Sequence, residues 1–253
     1  MNYIVAFIMG VVLADGAVSL SEIPEQPWFL GALFLGALFV SIFFVMATTA
    51  QRNAVSVASV AGKMSVVVPV LFGTFLYNES FTILKVIGIL IALIAVYLAS
   101  VKNETNTKSG GILFPVLLFF GSGVIDTTLK YVEVNFVLQK DVSLFSGSLF
   151  GIAAVFAATI LLIQQIKKKA SFGIKNIIAG FVLGVPNYFS IIFLIKALQN
   201  EDFESSVLFT VNNVGIVILS TLVGLLIFKE TFSLKNKIGV VLAVFGIILV
   251  TIA

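Results

Sequence analysis

Residues 68–88 read VPVLFGTFLYNESFTILKVIG, and residues 219–239 read LSTLVGLLIFKETFSLKNKIG, at a constant offset of 151 positions. Each copy predicts a long apolar helix, a tight polar turn that carries a glutamate, and a second apolar helix. The matched residues are Gly73 with Gly224, Glu79 with Glu230, Phe81 with Phe232, Gly88 with Gly239 and Ala92 with Ala243. A repeat at this distance indicates two structurally similar halves, since the periods of solenoids are much shorter. In membrane proteins such halves form transporters, whose substrate site lies between the repeats.

The composition indicates a membrane protein. Apolar residues make up 60% of the chain and charged residues 11%, whereas soluble domains average roughly 45–50% and about 25%. The chain has no Cys and no His, which excludes disulfides, thiol or imidazole catalysis and the usual zinc sites. We therefore expect no cofactor and no metal. We also expect no nucleic-acid partner, because no basic run lies near aromatic residues.

Nine segments are long and apolar enough, or nearly so, to cross a bilayer, which takes about 20 residues. They are residues 3–20, 28–49, 54–77, 82–101, 111–131, 143–165, 174–197, 204–228 and 234–252. The first is the weakest because Asp15 interrupts it. Backbone polar groups must be paired within lipid, so the spans are predicted as helices. The predicted fold class is all-α, a multi-pass integral membrane helix bundle.

The two halves differ in helix number. The chain crosses the membrane five times between Glu79 and Glu230, so the two turns face opposite sides and the repeats are inverted. The predicted first repeat, residues 1–101, has four helices, and the second, residues 111–253, has five. Either the chain starts late or the first repeat is naturally reduced. We favour the late start, because Met1 is followed at once by an apolar segment.

The doubled motif resembles a known family. The order Val68-Pro69, Gly73, residues 78–82 (NESFT) and Gly88 is similar to the EamA-like repeat of the drug/metabolite transporter superfamily. The second copy has KETFS at residues 229–233 but places Ser220 where the first has proline. The resemblance covers nearly the whole chain. It implies ten helices in two inverted repeats of five, alternating access, and export or exchange of small metabolites. It does not fix the substrate, because the superfamily moves amino acids, sugars, nucleotide sugars and drugs.

Lys63 lies deep within a predicted span. It is nine residues into the segment 54–77, which is about 13 Å from the helix end. A charge at that depth costs at least about 2.5–3.5 kcal/mol, so the side chain must face protein or a water-filled cavity. Small and hydroxylic residues surround it: Ser56, Ser59, Gly62 and Ser65. We favour a substrate contact for Lys63 over a purely structural pairing with a helix carbonyl or an acid.

Asp126 is the one acidic residue that lies well inside a predicted span. Lys130 follows it by four residues on the same helix face, so a local ion pair is one interpretation. The other is a proton or substrate site. The sequence leaves both open.

Polar residues cluster in two further spans. Val185-Pro186-Asn187-Tyr188 falls in the middle of a predicted helix, where the proline frees a carbonyl and predicts a kink. Asn212 and Asn213 lie at similar depth in the next span. Interrupted helices with polar groups mark midplane substrate sites, although such residues also form interhelical hydrogen bonds.

These residues give a specific hypothesis. Lys63 holds a carboxylate or phosphate, while Asn187, Asn213 and Asp126 meet the polar or cationic end of the substrate. Tyr188 and Asn212 complete the candidate set of substrate-binding residues. A zwitterionic amino acid or a similar anionic metabolite fits best.

The leading function is therefore a secondary transporter that exports or exchanges a small polar metabolite by alternating access. The second is a proton-coupled exporter of amphipathic drugs, which Lys63 disfavours. The third is a non-transporting membrane subunit. An enzyme is not expected, because the chain lacks His, Cys and a paired intramembrane Asp or HExxH motif. The expected partners are a small-molecule substrate and the lipid bilayer, in the inner membrane of a bacterium. Proton coupling and a homodimer stay open.

The glutamates of the repeated turns are interpreted as structural. A Glu near a helix start complements the positive end of the helix dipole, and the Thr or Ser that follows can cap the helix.

The membrane orientation is contested: ten cationic residues lie on one side of the predicted bundle, and four lie on the other. The positive-inside rule then places Ala253 outside, whereas the resemblance implies a cytoplasmic C-terminus.

Overall fold

The computed structural model describes residues 1–14, 20–53, 55–77, 79, 82–100, 111–166, 173–200, 202–226 and 234–252. Over these residues the fold is helical and contains no strand, as the sequence predicts. The helices are α1 (Asn2–Val12), α2 (Phe29–Arg52), α3 (Val55–Met64), α4 (Val67–Tyr77), α5 (Ile83–Ser100), α6 (Leu113–Phe136), α7 (Val142–Ile166), α8 (Ile174–Leu198), α9 (Ser205–Leu226) and α10 (Leu234–Thr251). Short 3-10 turns cover Leu20–Glu25 and Gln139–Asp141.

Five helical stretches within the described residues are long and apolar enough to cross a membrane. They are Phe29–Arg52, Val57–Tyr77, Leu113–Phe136, Gln139–Ile163 and Ile177–Leu198. Four shorter apolar stretches lie in α1, α5, α9 and α10. These helices indicate an integral membrane protein.

Two predicted spans differ from the helices found. The segment 54–77 was expected as one helix, but it is divided into α3 and α4. The segment 3–20 was expected to be a span, but α1 has 11 residues and ends at Val12. At about 1.5 Å per residue α1 is shorter than the roughly 30 Å of the hydrocarbon layer.

Large apolar side chains are exposed along most of the helices. Phe75 and Ile83, for example, are 80% and 81% exposed. A soluble monomer rarely exposes extended apolar patches of this kind. The exposed surface therefore suits contact with lipid.

The described residues form two compact units. Unit 1 comprises Met1–Ser41 and Thr128–Glu201, and unit 2 comprises Ile42–Thr127 and Asp202–Ala253. Each unit takes helices from both sequence halves, 1–101 and 111–253. The division of the sequence into two repeats stays a prediction, and part of the second turn, including Glu230, lies outside the described residues.

In unit 1, α1 packs against α7 and α8. The α1–α7 crossing is close because glycines meet there: a Cβ added to Gly147 would lie 2.8 Å from the Cα of Gly10. One turn further along α7, a Cβ on Gly151 would lie 2.7 Å from the ring of Phe7. Glycines at this spacing let helix backbones approach each other in lipid.

The glycine pair of α8 has the same role on the other side of α1. A Cβ on Gly180 would lie 2.7 Å from the Cβ of Met1, and one on Gly184 would lie 2.5 Å from the Cβ of Val5. The glycine pairs of α7 and α8 therefore both serve helix packing, and both pack against α1.

We expect Gly147→Ala to destabilise the protein. The added methyl group would meet backbone atoms of α1, which cannot move aside as a side-chain end can, and overpacking costs about 1–3 kcal/mol. The measurement is thermal unfolding in detergent. Gly215→Ala is the matched control, because a Cβ there meets no atom within 4 Å and alanine favours the helix by up to about 1 kcal/mol. Equal melting temperatures for the two variants would contradict the packing assignment.

In unit 2, α5 and α10 form the most extensive helix pair, and α9 packs on α4, α5 and α10. A Cβ on Gly88 would lie 2.7 Å from the side chain of Val250, and one on Gly246 would lie 3.1 Å from the backbone of Ala92. The numbering rises along α5 as it falls along α10, so the two helices are antiparallel. Gly88 is thus a packing residue of this helix pair. The buried cluster beside this pair consists of Ala92, Ala95, Val96, Val214, Val217 and Ala243.

Candidate substrate site

The segment that carries Lys63 is broken one residue beyond the end of α3. Ser65 and Val66 form a turn between α3 and α4, and Pro69 follows in the first turn of α4. Proline has no N–H and its ring crowds the carbonyl four residues earlier, but it fits the first turn of a helix. Pro69 therefore fits the first turn of a new helix that begins after Ser65. It is incompatible with a helix α3 that continues without interruption past Ser65. Lys63 lies in the last turn of α3.

The backbone groups at this break are bonded locally. The N–H of Val68 donates to the Ser65 carbonyl at 2.9 Å, and the Ser65 hydroxyl donates to the Gly62 carbonyl at 2.7 Å. The N–H of Val66 donates to the Lys63 carbonyl at 3.5 Å. The interruption between α3 and α4 is thus stabilised by hydrogen bonds within unit 2.

Lys63 and Asn213 are held together within unit 2. The Lys63 Nζ donates to Asn213 Oδ1 at 3.2 Å, and Asn213 is buried. The two residues are 150 positions apart, almost the offset of 151 that relates the repeated turns. Residues at nearly equivalent positions of the two predicted repeats therefore contact each other.

Asp126 on α6 interacts electrostatically with Lys63. The alternative partner, Lys130, bonds elsewhere: its Nζ donates to Glu133 Oε2 at 2.9 Å and to the Leu198 carbonyl at 2.8 Å. The local pair of Asp126 with Lys130 is therefore not the arrangement found. Lys63, Asp126 and Asn213 form a polar group contributed by three helices of unit 2.

Open space lies beside this polar group. A Cβ built on Gly62, adjacent to Lys63, meets no atom within 4 Å, and the same holds for Gly215, two residues beyond Asn213. Most other glycines on the helices have a neighbour within this distance. α3 therefore has open space at the residue before Lys63, whereas the space at Gly215 lies on the exposed face of α9 that carries Asn212.

The remaining candidates are placed differently. In unit 1, Asn187 Nδ2 donates to Asn2 Oδ1 at 3.3 Å, and the Tyr188 hydroxyl donates to the Ser143 carbonyl at 3.5 Å. Tyr188 is fully buried, and α8 continues as a helix through Pro186. In unit 2, Asn212 is exposed on α9. The six candidate residues thus divide into Lys63, Asp126 and Asn213 as a group, Asn187 and Tyr188 in the other unit, and Asn212 on an open helix face.

A second polar cluster in unit 2 was not anticipated. Glu79 accepts hydrogen bonds at the start of α9 from the backbone N–H of Ser205 at 2.8 Å, the backbone N–H of Ser206 at 3.1 Å and the Ser205 hydroxyl. From the sequence we expected Glu79 to complement the dipole of the adjacent α5, but it caps α9, whose first residue, Ser205, lies 126 positions away. The predicted cap of α5 is confirmed at Thr82, whose hydroxyl accepts the Lys85 N–H at 3.1 Å.

Lys85 completes this cluster. Its side chain is 2% exposed and forms an ion pair with Glu204, which is 34% exposed, and it also interacts electrostatically with Glu79. The Ser206 hydroxyl donates to Glu204 at 3.4 Å. The sequence signal was the run Glu204-Ser205-Ser206 directly before an apolar segment, since such residues are typical of helix starts.

The comparisons with known proteins give a fold but not a function. No family model matches the sequence. The chain is similar to an uncharacterised protein of Haemophilus influenzae, with 29% identity over 206 residues that cover 80% of this chain and 68% of that protein. It is also similar to a solved crystal structure, with a TM-score of 0.74, 18% identity, and coverage of 99% of this chain and 85% of that one. At this identity the likeness shows the fold alone.

The described residues contain no group of three or more metal-ligating side chains. What the Lys63 group offers is one cation, one carboxyl and one amide in a largely apolar bundle. A lysine ammonium is a donor for carboxylate and phosphate oxygens, and a carboxylate accepts from an ammonium. The arrangement suits binding of a small charged or zwitterionic molecule.

Proposed function

We propose that the protein is a secondary transporter of the drug/metabolite superfamily type, which exports or exchanges a small polar metabolite by alternating access. The observation that carries the proposal is the contact of Lys63 with Asn213. It joins nearly equivalent positions of the two sequence repeats beside a broken helix. Transporters built from inverted repeats bind their substrates at such positions. The membrane would be the inner membrane of a bacterium.

The packing of α5 and α10 supports the inverted repeat. These are the last helices of the two predicted repeats, and the contacts of Gly88 with Val250 and of Ala92 with Gly246 make them antiparallel. Ala92 and Ala243, matched in the sequence repeat, lie in the same buried cluster. Two halves related by a pseudo-two-fold axis in the membrane plane bring equivalent residues together in this way.

The polar group supports a substrate with a carboxylate or phosphate. An intramembrane lysine is costly and marks a substrate or ion pathway by default. The Lys63 ammonium can donate to an anionic group of the substrate, and the Asn213 amide can add a further hydrogen bond. Asp126 can then accept from a cationic end. A zwitterionic amino acid satisfies all three side chains, and other carboxylates or phosphates satisfy Lys63.

The experiment is uptake and exchange in proteoliposomes that contain the full chain. The labelled compounds are a neutral amino acid, a monocarboxylate, a sugar phosphate and an amphipathic cation. We expect saturable exchange of one of the first three. Flux of the amphipathic cation alone, driven by a proton gradient, would contradict the proposal in favour of a multidrug exporter. No flux from well-folded protein would contradict it in favour of a non-transporting membrane subunit.

A further inference from the structure

The short helix α4 is attached to α9 at its far end and adjoins a bonded turn at its near end. At the near end the turn Ser65–Val66 joins it to α3, where Lys63 bonds Asn213 of α9. At the far end Glu79 bonds Ser205 and Ser206 at the start of α9. Between these points α4 packs along α9. α4 is thus held near α9 at its far end by Glu79 and at its near end by the contact of Lys63, on α3, with Asn213.

The attachment at Glu79 meets a specific need of α9. The first N–H groups of a helix have no partner within the helix, and they carry the positive end of its dipole. The carboxylate of Glu79 satisfies the N–H groups of Ser205 and Ser206, and it also accepts the Ser205 hydroxyl. The residue at the usual capping position, Glu204, instead pairs with Lys85. Glu79 is therefore a cap supplied by a distant part of the chain.

The attachment can be released without large cost. Glu79 is only partly buried, so water can take over its hydrogen bonds when it leaves. At the other end of α4, the turn at Ser65–Val66 has its own hydrogen bonds through Val68 and the Ser65 hydroxyl. Rotation of α4 about this turn therefore frees few further backbone groups.

We propose that Glu79 is a positioning residue that works as a latch in the transport cycle. While it is bonded to Ser205 and Ser206, α4 stays against α9 and covers Lys63 from the side of the membrane on which Glu79 lies. When it is released, α4 turns about Ser65–Val66 and Lys63 opens to that side. This inference rests on the proposed transport function, but its test does not require a known substrate.

The test measures access of a thiol reagent to the polar group. The chain has no cysteine, so a single Gly62→Cys reports without background, and its side chain has free space at the residue before Lys63. Right-side-out and inverted membrane vesicles are treated separately with a membrane-impermeant methanethiosulfonate. Glu79→Gln is added to the Gly62→Cys chain, because the glutamine amide places an N–H group where a backbone N–H already donates. We expect labelling to be about ten- to hundredfold faster, from one face only.

The control variant is Glu25→Gln, a change at an exposed glutamate. We expect it to label at the parent rate. Faster labelling from both faces would mean general loosening of the fold and would overturn the latch, as would an unchanged rate in folded Glu79→Gln protein. If Glu79→Gln does not fold, Ser205→Ala removes one donor and is expected to give a smaller one-sided increase. A one-sided increase in a protein that exchanges no compound would leave the latch standing and reject the transport function.

Discussion

Lys63→Met is expected to reduce substrate exchange by about a hundredfold or more while leaving the protein folded. Methionine has a similar length and is apolar, so the variant inserts into the membrane at least as readily. It lacks the ammonium that donates to Asn213 and, in our proposal, to the anionic group of the substrate. Truncation of one partner of a buried, hydrogen-bonded charge pair costs about 2–5 kcal/mol, and each 1.4 kcal/mol is a factor of ten in affinity. The measurement is exchange in proteoliposomes at matched protein content.

The matched control is Lys196→Met, which removes a lysine that is exposed at the end of α8. We expect its flux to stay within about twofold of that of the natural protein, since exposed charges contribute little. The double variant Lys63→Met with Asp126→Asn also removes the carboxylate that interacts with Lys63, and we expect it to be folded like Lys63→Met and to show the same loss of exchange. Exchange by Lys63→Met at the natural rate would refute the assigned site.

Lys85→Met is expected to destabilise the protein by about 2–4 kcal/mol. The lysine is buried, and its removal leaves the carboxylates of Glu204 and Glu79 near each other without their cation. Breaking a buried pair by removing one partner costs about 3–5 kcal/mol, and the partial exposure of Glu204 lowers this through solvent screening. The measurement is thermal unfolding in detergent.

Lys140→Met serves as the reference for Lys85→Met, because Lys140 is exposed in the connection before α7. A second variant, Lys85→Met with Glu204→Gln, removes one of the two carboxylates that interact with Lys85 and is expected to recover part of the loss. If Lys85→Met and Lys140→Met unfold at the same temperature, the cluster at the start of α9 does not stabilise the fold.

The helices could be predicted because the bilayer imposes their length and apolarity. The same physics marked Lys63 and Asn213, since polar side chains in lipid are costly and need partners. The partners themselves were not predictable. Lys130 follows Asp126 at a spacing that favours a local pair, yet its ammonium bonds Glu133 and the Leu198 carbonyl instead. Glu133 is itself three residues from Lys130 on the same helix, so sequence spacing allowed two local pairs and did not choose between them, while the contact with the Leu198 carbonyl of α8 could not be read from spacing.

The position of the helix break shows the same limit. We expected a kink at Pro186 and one continuous helix around Pro69; α8 continues through Pro186, and the interruption that the structure shows lies before Pro69. Four residues before Pro69 stands Ser65, whose hydroxyl bonds the Gly62 carbonyl and stabilises the turn. Glu79 was misjudged for a related reason: a local rule assigned it to α5, whereas a long-range contact made it the cap of α9.

The antiparallel pair of α5 and α10 also sets an order on biosynthesis. Unit 1 ends at Glu201, so the ribosome can deliver all of it before the last two helices exist. α5 enters the membrane before α10 has been made. Until then the face of α5 that carries Gly88 and Ala92 has no α10 to pack against. At roughly 5–20 residues per second this interval lasts on the order of ten seconds. Unit 2 is therefore complete only when α10 has packed against α5.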